Sequence, residues 1–199
     1  MTDRPAQPIA AVPADRMPRL SPERMTPAQR AAAAELEAGP RGKVQGPYVP
    51  IMRSPGFMTP AQKLGEYIRF HCRLDFRLNE MAALMTARHW SQQFEFHVHT
   101  PHALKAGLPK AVIDAIAEGR RPSEMAEDEE TLYDFLTEVF ATRGACDATY
   151  QRAVAQFGEE GVIDILGIAG YYAMLAMIMN VARTALPDGA PYPLKPMPY

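Results

Sequence analysis

Apolar residues recur at three- and four-residue intervals through the middle of this chain, and no clear run of strict alternation interrupts them. That pattern predicts an all-α fold, a single helical domain of about seven or eight helices. Two helices are expected to start at the same five letters, "MTPAQ", at residues 25–29 and 58–62. In each, Thr is the cap, Pro the first helical residue and Gln the third, so the capping chemistry repeats and no domain duplication is implied. The first should run over residues 26–38 and stop at Gly39-Pro40. The second should run from Thr59 to about Cys72, with Leu64, Ile68 and Tyr67 inward. A third is expected over residues 77–88, with Met81, Leu84, Met85 and Arg88 on one side and Glu80 beside them. A fourth should cover residues 91–106 and end at Gly107, with Pro101 kinking it because Pro has no N–H for the carbonyl of His97. "LPKAVIDAIAEG" is a short fifth. A sixth follows the acidic loop "RRPSEMAEDEE", over residues 130–141. A seventh is capped by Asp147 and ends before Gly158, and the longest spans residues 160–185.

Proline sets the boundaries. Eleven of the nineteen prolines fall in residues 1–60 and five in the last thirteen, so the two ends read as extended arms around a helical body. The expected division is a proline-rich arm with a short helix (1–58), the helical domain (59–186) and a proline-rich tail (187–199). The first twenty residues should be disordered or draped on a neighbour. The linker "GPRGKVQGPYVPIMRSPGF" should be loop, able to line a pocket or meet a second subunit. The tail, with its two tyrosines, should pack on the body or on another subunit.

Residues 165–182, "ILGIAGYYAMLAMIMNVA", carry no charge over eighteen positions, the lower limit for a membrane span. Two glycines, two tyrosines, Asn180 and the lack of a second span favour a buried core or interface helix. A helix apolar on more than one face needs cover on all sides, and a homo-oligomer (dimer, trimer or hexamer) would supply part of it.

Composition narrows the class. The 199 residues suffice for one domain with a core, and a net charge of -2 without a basic, aromatic-interleaved patch argues against a nucleic-acid partner. Arg120 and Arg121 are a small basic cluster that solvates a loop. The N-terminus lacks the apolar stretch of a signal peptide, and the cysteines, Cys72 and Cys146, are far apart and outside any CxxC. Reduced thiols and a cytoplasmic location are the expectation. Twelve methionines suggest adaptable packing.

The chemistry concentrates in "HWSQQFEFHVHTPH", residues 89–102, which holds four of the five histidines and the single tryptophan. Gln92, Glu95, His99 and His102 follow at spacings of 3, 4 and 3, one face of a helix. Trp90, Phe94 and Phe96 argue that little of this helix is solvated. A carboxyl in an apolar cleft holds its proton more tightly, and a histidine one turn away can relay it near neutral pH. Glu95–His99 is one candidate pair, with Glu80 facing it from the preceding helix. A structural ion pair is the bland alternative. His89 and His97 read as packing residues and His71 as a helix-end residue. A metal bound by Glu95, His99 and His102 is a further alternative. It lacks HExxH, a second Glu-x-x-His helix or a thiolate set, and residues 127–130 lack an EF-hand pattern, so no metal or other cofactor is expected.

Glu80, then "HWSQQFEFHVH", then "ALKAGLPKAVIDAI" resemble the carboxymuconolactone decarboxylase and AhpD-like alkylhydroperoxidase superfamily. The resemblance covers roughly residues 60–182. In the peroxidase branch a glutamate precedes a Cys-x-x-Cys pair and a histidine. Here the glutamate position falls on Glu80, the cysteine positions on Gln92 and Glu95, and the histidine on His99. Without thiolates there, the resemblance speaks against thiol peroxidase chemistry. The decarboxylase branch, which lacks the cysteine pair, looks closer. It implies an all-helical oligomer acting without cofactor on a small organic acid or lactone.

The resulting expectation is acid/base catalysis, with decarboxylation as the leading example. His99 delivers the proton, Glu95 orients or relays, Glu80 shares the proton and Gln92 stabilises an oxyanion. Trp90, Phe94 and Phe96 keep the pocket dry, and Arg88 or Arg73 meets the substrate carboxylate. A non-catalytic oligomeric scaffold or small-molecule binder is the alternative. In that case Glu80, Glu95 and His99 would not converge on an open cavity.

Overall fold

The structure is a computed structural model and describes residues 14–187 and 190–195. After a 3₁₀ turn at Pro22–Arg24 come α1 (Pro27–Ala38), α2 (Tyr48–Ile51), α3 (Pro55–Phe70), α4 (Phe76–His89), α5 (Gln93–Lys105), α6 (Lys110–Glu118), α7 (Glu127–Thr142) and α8 (Asp147–Ala182). The all-α expectation is borne out, with eight α-helices among the described residues.

The fold is built around α4. Asp75 caps it by accepting from the Arg77 N–H at 2.9 Å, and every residue from Leu78 to Arg88 is buried. It packs against α5, α6, α7 and α8. A helix covered on every side needs apolar residues on every side, and Leu78, Met81, Ala82, Ala83, Leu84, Met85 and Ala87 supply them. Each fully buried Leu or Met is worth roughly 1.5–3 kcal/mol, so a polar residue in this row must be matched by a partner. Glu80 is 1% exposed and stands in that row.

The repeated "MTPAQ" does different work at its two sites. Thr26 and Gln29 form the expected capping box at α1. Thr59 does not cap; α3 begins a turn earlier, after Ser54 with Pro55 in its first turn, and Thr59 Oγ1 donates to Glu35 at 2.9 Å. Pro55 takes the place where a missing N–H costs nothing, and Pro60 is carried inside the helix. The register shifts with the start. Met58, Ala61, Gln62, Gly65 and Ile68 face inward, whereas Leu64 and Tyr67, expected inside, are exposed. The acidic loop also ends sooner than expected. Glu129 Oε2 accepts from the Ala126 N–H at 3.0 Å, and four acidic residues favour the positive end of α7.

The break expected at Gly158 is present. Its φ of 71° and ψ of 171° are not helical, so α8 bends there and its longer segment begins beyond it. Cys146, not Asp147, is the N-cap residue. By length and composition α8 could cross a membrane, but 56% of its most apolar window is buried inside the fold, as in the core helix of a water-soluble protein. Ile163, Leu166, Met177 and Val181 remain exposed along one side of it.

The described parts of both arms lie on the body. The Arg16 N–H donates to the Ala182 carbonyl at 2.8 Å, and Arg53 Nη2 donates to the Pro18 carbonyl at 2.8 Å. Leu194 is buried in the core and exchanges two 2.9 Å hydrogen bonds with the Gln93 side chain. Tyr192 is exposed, while Tyr199 and residues 1–13 lie outside the described residues.

Gly158 occupies backbone space that is essentially reserved for glycine, and no atom lies within 4 Å of an added Cβ. Gly158→Ala is therefore expected to lose about 1–3 kcal/mol through backbone strain alone. Urea denaturation would measure it, and an unchanged midpoint would contradict it.

Candidate active site

Three helices and one strap enclose a cavity of about 540 Å³. α5 contributes Phe94, Glu95, Val98 and His99; α8 contributes Tyr171, Tyr172, Leu175 and Met179; α3 contributes Arg69 and Phe70. The strap is the linker of residues 40–48, which brings Arg41, Lys43 and Tyr48. The linker of residues 39–57 does line a pocket, but it is loop only in its first half; α2 and the first turn of α3 occupy much of the rest.

His99 joins the cavity to the core. Its Nδ1 lies 2.6 Å from Glu80 Oε2 on α4, with both side chains buried. That contact leaves Nε2 as the nitrogen available to a ligand. The Tyr172 ring meets the imidazole edge-on, with centroids 4.7 Å apart and planes at 80°. The histidine is therefore held by a carboxylate on one side and an aromatic ring on another. Its carboxylate partner is Glu80 and not Glu95, the neighbour on its own helix.

Glu95 has a different environment. It is 3% exposed, lines the cavity, and neither carboxyl oxygen has a hydrogen-bond partner among the described residues. Burial pushes its carboxyl well above the usual carboxylate range. Burial thus favours its protonated form, which has one O–H to donate and one carbonyl oxygen to accept.

Gln92 does not join them. It is the N-cap of α5, and its Oε1 accepts from the Phe94 N–H at 2.7 Å and the Glu95 N–H at 3.3 Å. Its Nε2 donates to Asn180 Oδ1 at 2.9 Å. α5 begins at Gln93 because Ser91 turns the chain with φ 50°, so Gln92 leaves the helical face assumed from its spacing. Its amide N–H is committed, and it does not line the cavity.

The remaining candidates sort cleanly. Phe94 lines the cavity and Phe96 is core, while Trp90 closes the end of α4, its carbonyl accepting from Asn180 at 2.9 Å. Arg88 donates to the Lys195 carbonyl at 2.7 Å, and exposed Arg73 pairs with Glu160 at 3.2 Å, so neither serves the cavity. Its cations are Arg41, Lys43 and Arg69. His102 holds Arg69, whose Nη2 is 3.1 Å from the imidazole Nε2. Burial and then Arg69 lower the His102 pKa, keeping that ring neutral. His89 stacks on Phe140 at 4.6 Å, His97 is half-buried away from the cavity, and His71 closes the end of α3. Among the described residues no three His, Cys, Asp or Glu side chains are grouped to hold a metal ion, so Glu95, His99 and His102 do not form the ligand set considered from their spacing.

Neither cysteine reaches the cavity. Cys72 follows α3, and its Sγ donates to Asp164 Oδ2 at 3.3 Å. Burial, helped by Asp164, pushes its thiol up to about 11. Cys146 is exposed, and both thiols are free.

The architecture has a counterpart among solved structures. A crystal structure of a protein of unknown function from Agrobacterium tumefaciens, described as a putative antioxidant defence protein AhpD, superposes with a TM-score of 0.62. The match covers 69% of this chain and 94% of that one, at 21% identity. The chain has the AhpD-like helical fold. No family model and no curated protein matches it. On this fold the two cysteines are dispersed, and the cavity presents Glu95 and His99.

Two predictions follow from these environments. For Glu95, a folded-state pKa raised above the unfolded value gives stability that is complete below the unfolded pKa and lost as pH rises through the folded one. Glu95→Gln should therefore gain stability relative to the parent as pH rises from 4 to 8, read from urea midpoints; a constant difference would contradict a raised pKa. For the thiols, iodoacetamide at pH 7 should label Cys146 at least about tenfold faster than Cys72, because the thiolate is the reacting form. Equal rates by peptide mass mapping would place Cys72 in a more open environment.

Proposed function

We propose that the protein is a cofactor-free acid/base catalyst acting on a small carboxylated or lactone-type organic compound, most simply a decarboxylase-like lyase. The observation that carries this reading is His99, set between Glu80 at 2.6 Å and an open cavity. A histidine backed by a buried carboxylate can hold a proton and deliver it from its other nitrogen. The cavity volume of about 540 Å³ suits a small molecule.

In the proposed reaction the substrate's C–C bond to its carboxylate breaks and CO₂ leaves. The electron pair moves into the conjugated carbonyl, giving an enolate. His99 Nε2 then delivers a proton to carbon, and Glu80 stabilises the charged imidazole through Nδ1. Glu95 takes the part first assigned to Gln92. As a buried carboxylic acid it donates its O–H to the enolate oxygen, where a preorganised donor in a dry site is worth most. Phe94, Val98, Leu175 and Met179 limit water at the reacting carbon.

Two alternatives carry less. A thiol peroxidase would need a thiolate at the cavity, and neither Cys72 nor Cys146 lines it. A self-satisfied scaffold would pair its own polar groups, yet Glu95 has no partner among the described residues. The exposed side of α8, with Ile163 67% and Val181 58% exposed, supports assembly into a homo-oligomer.

The test is a panel of β-keto acids and unsaturated lactone acids in D₂O, followed by NMR for CO₂ loss and deuterium at the adjoining carbon. Turnover is expected for the parent, with at least a hundredfold loss of kcat in His99→Gln and Glu80→Gln and none in a Cys72→Ser, Cys146→Ser double variant. Turnover that survives His99→Gln would defeat the proposal, as would a panel without any turnover.

A further inference from the structure

Several cations of this chain are matched by carboxylates, and those of the cavity are not. Arg73, Arg77, Arg120, Arg121 and Arg152 each have a carboxylate within 4 Å. Arg41, Lys43 and Arg69 have none among the described residues, and all three line one cavity. Among the described residues the only acid lining that cavity is Glu95, whose carboxyl burial pushes well above the usual carboxylate range. The cavity thus gathers three cations with no carboxylate paired to any of them among the described residues.

Arg41 is held in place by groups that leave its charge unmet. Its guanidinium lies over the Tyr48 ring, 4.9 Å from the centroid, and its Nε is buried without a partner among the described residues. Gly65 on α3 makes the room. An added Cβ there would stand 2.0 Å from the Tyr171 hydroxyl and 2.5 Å from Arg41 Nη2. The two hydroxyls of Tyr48 and Tyr171 are bonded to each other at 2.7 Å. The strap is fastened just after Arg41, by Val44 in the core and by Gly46, whose missing Cβ admits the Phe94 ring. Arg69 is steadied by neutral His102 at 3.1 Å.

A fixed guanidinium with an unpaired, desolvated N–H is costly unless an anion completes it, and its planar fork matches a carboxylate. Around it the walls are apolar: Phe70, Phe94, Val98, Leu175 and Met179. We infer that Arg41 and Arg69 form a carboxylate-binding subsite, and that the ligand is a small organic acid with an apolar skeleton, anchored there by its carboxylate. This deepens the acid/base reading and rests on it for which end of the ligand meets His99. If the anchored carboxylate is the one that leaves as CO₂, its departure from the two arginines precedes protonation by His99. If the substrate has a second carboxylate, the arginines hold the one that stays.

The test is calorimetric titration with benzoate, phenylacetate and cyclohexanecarboxylate, each beside its own amide. The acids are expected to bind at least tenfold more tightly than the amides. Arg41→Gln and Arg69→Gln should each erase at least tenfold of acid binding and leave the amides unchanged. Arg41→Lys, which keeps the charge and loses the fork, should fall between. Arg73→Gln should keep acid binding within threefold, because Arg73 pairs with Glu160 on the surface and does not line the cavity. Acids that bind no better than amides, or do not bind below 10 mM, would overturn the subsite. So would an Arg41→Gln variant, folded by circular dichroism, that binds acids as the parent does. Acid binding without turnover anywhere in the panel would sink the catalytic reading and leave the subsite standing.

Discussion

A single buried hydrogen bond, from His99 on α5 to Glu80 on α4, sets the terms for this structure. Glu80 stands where Leu or Met would be cheaper, in the one helix covered on every side. A buried carboxylate is tolerated only when something meets its charge, and Glu80 Oε2 is met by the imidazole. The α4–α5 packing is therefore a matter of polar register as well as of shape. Sliding either helix by one residue would strand both groups in the core. The same contact fixes which imidazole nitrogen faces the cavity.

Around that bond the polar groups take unlike roles because their surroundings differ. Glu80 and Glu95 are both nearly inaccessible, yet one has a partner at 2.6 Å and the other has none among the described residues. Pairing one buried polar group and leaving its neighbour without a partner is the pattern of this core. The tyrosines extend it. Tyr172 braces His99, while Tyr48 and Tyr171 hold each other beside Arg41.

The helices were legible because three-and-four periodicity and end signals such as Thr26 and Gly158 act locally. So was the concentration of chemistry at Glu80, Glu95 and His99. The failures came from signals that local patterns do not carry. Thr59 looks like a cap, but Pro55 and Ser54 start the helix first. Gln92 shares a helical face only if the helix has begun, and the φ of 50° at Ser91 delays it. The pairing of His99 with Glu80 in place of Glu95 is a tertiary contact nineteen residues apart. Arg41 and Arg69 were missed because a cation in a Gly-Pro linker or near a helix end looks solvated. What sets them apart, the cavity they share, exists only in three dimensions. Tyr171 and Tyr172 left a fainter trace, two hydroxyls in an otherwise apolar run.

The fastening of the C-terminal segment bears on how the chain comes to be folded. Leu194 and Lys195 hold Gln93 and Arg88, the residues on either side of the α4–α5 corner. At the other end, Arg16 is bonded to Ala182. During synthesis at roughly 5–20 residues per second, the helices up to α7 emerge while these ties are still unmade. The corner that orients the cavity thus gains its last clamps only once Leu194 and Lys195 have left the ribosome. Until then the Glu80–His99 contact sits in a partly assembled core, and a chain truncated before Leu194 would retain that condition.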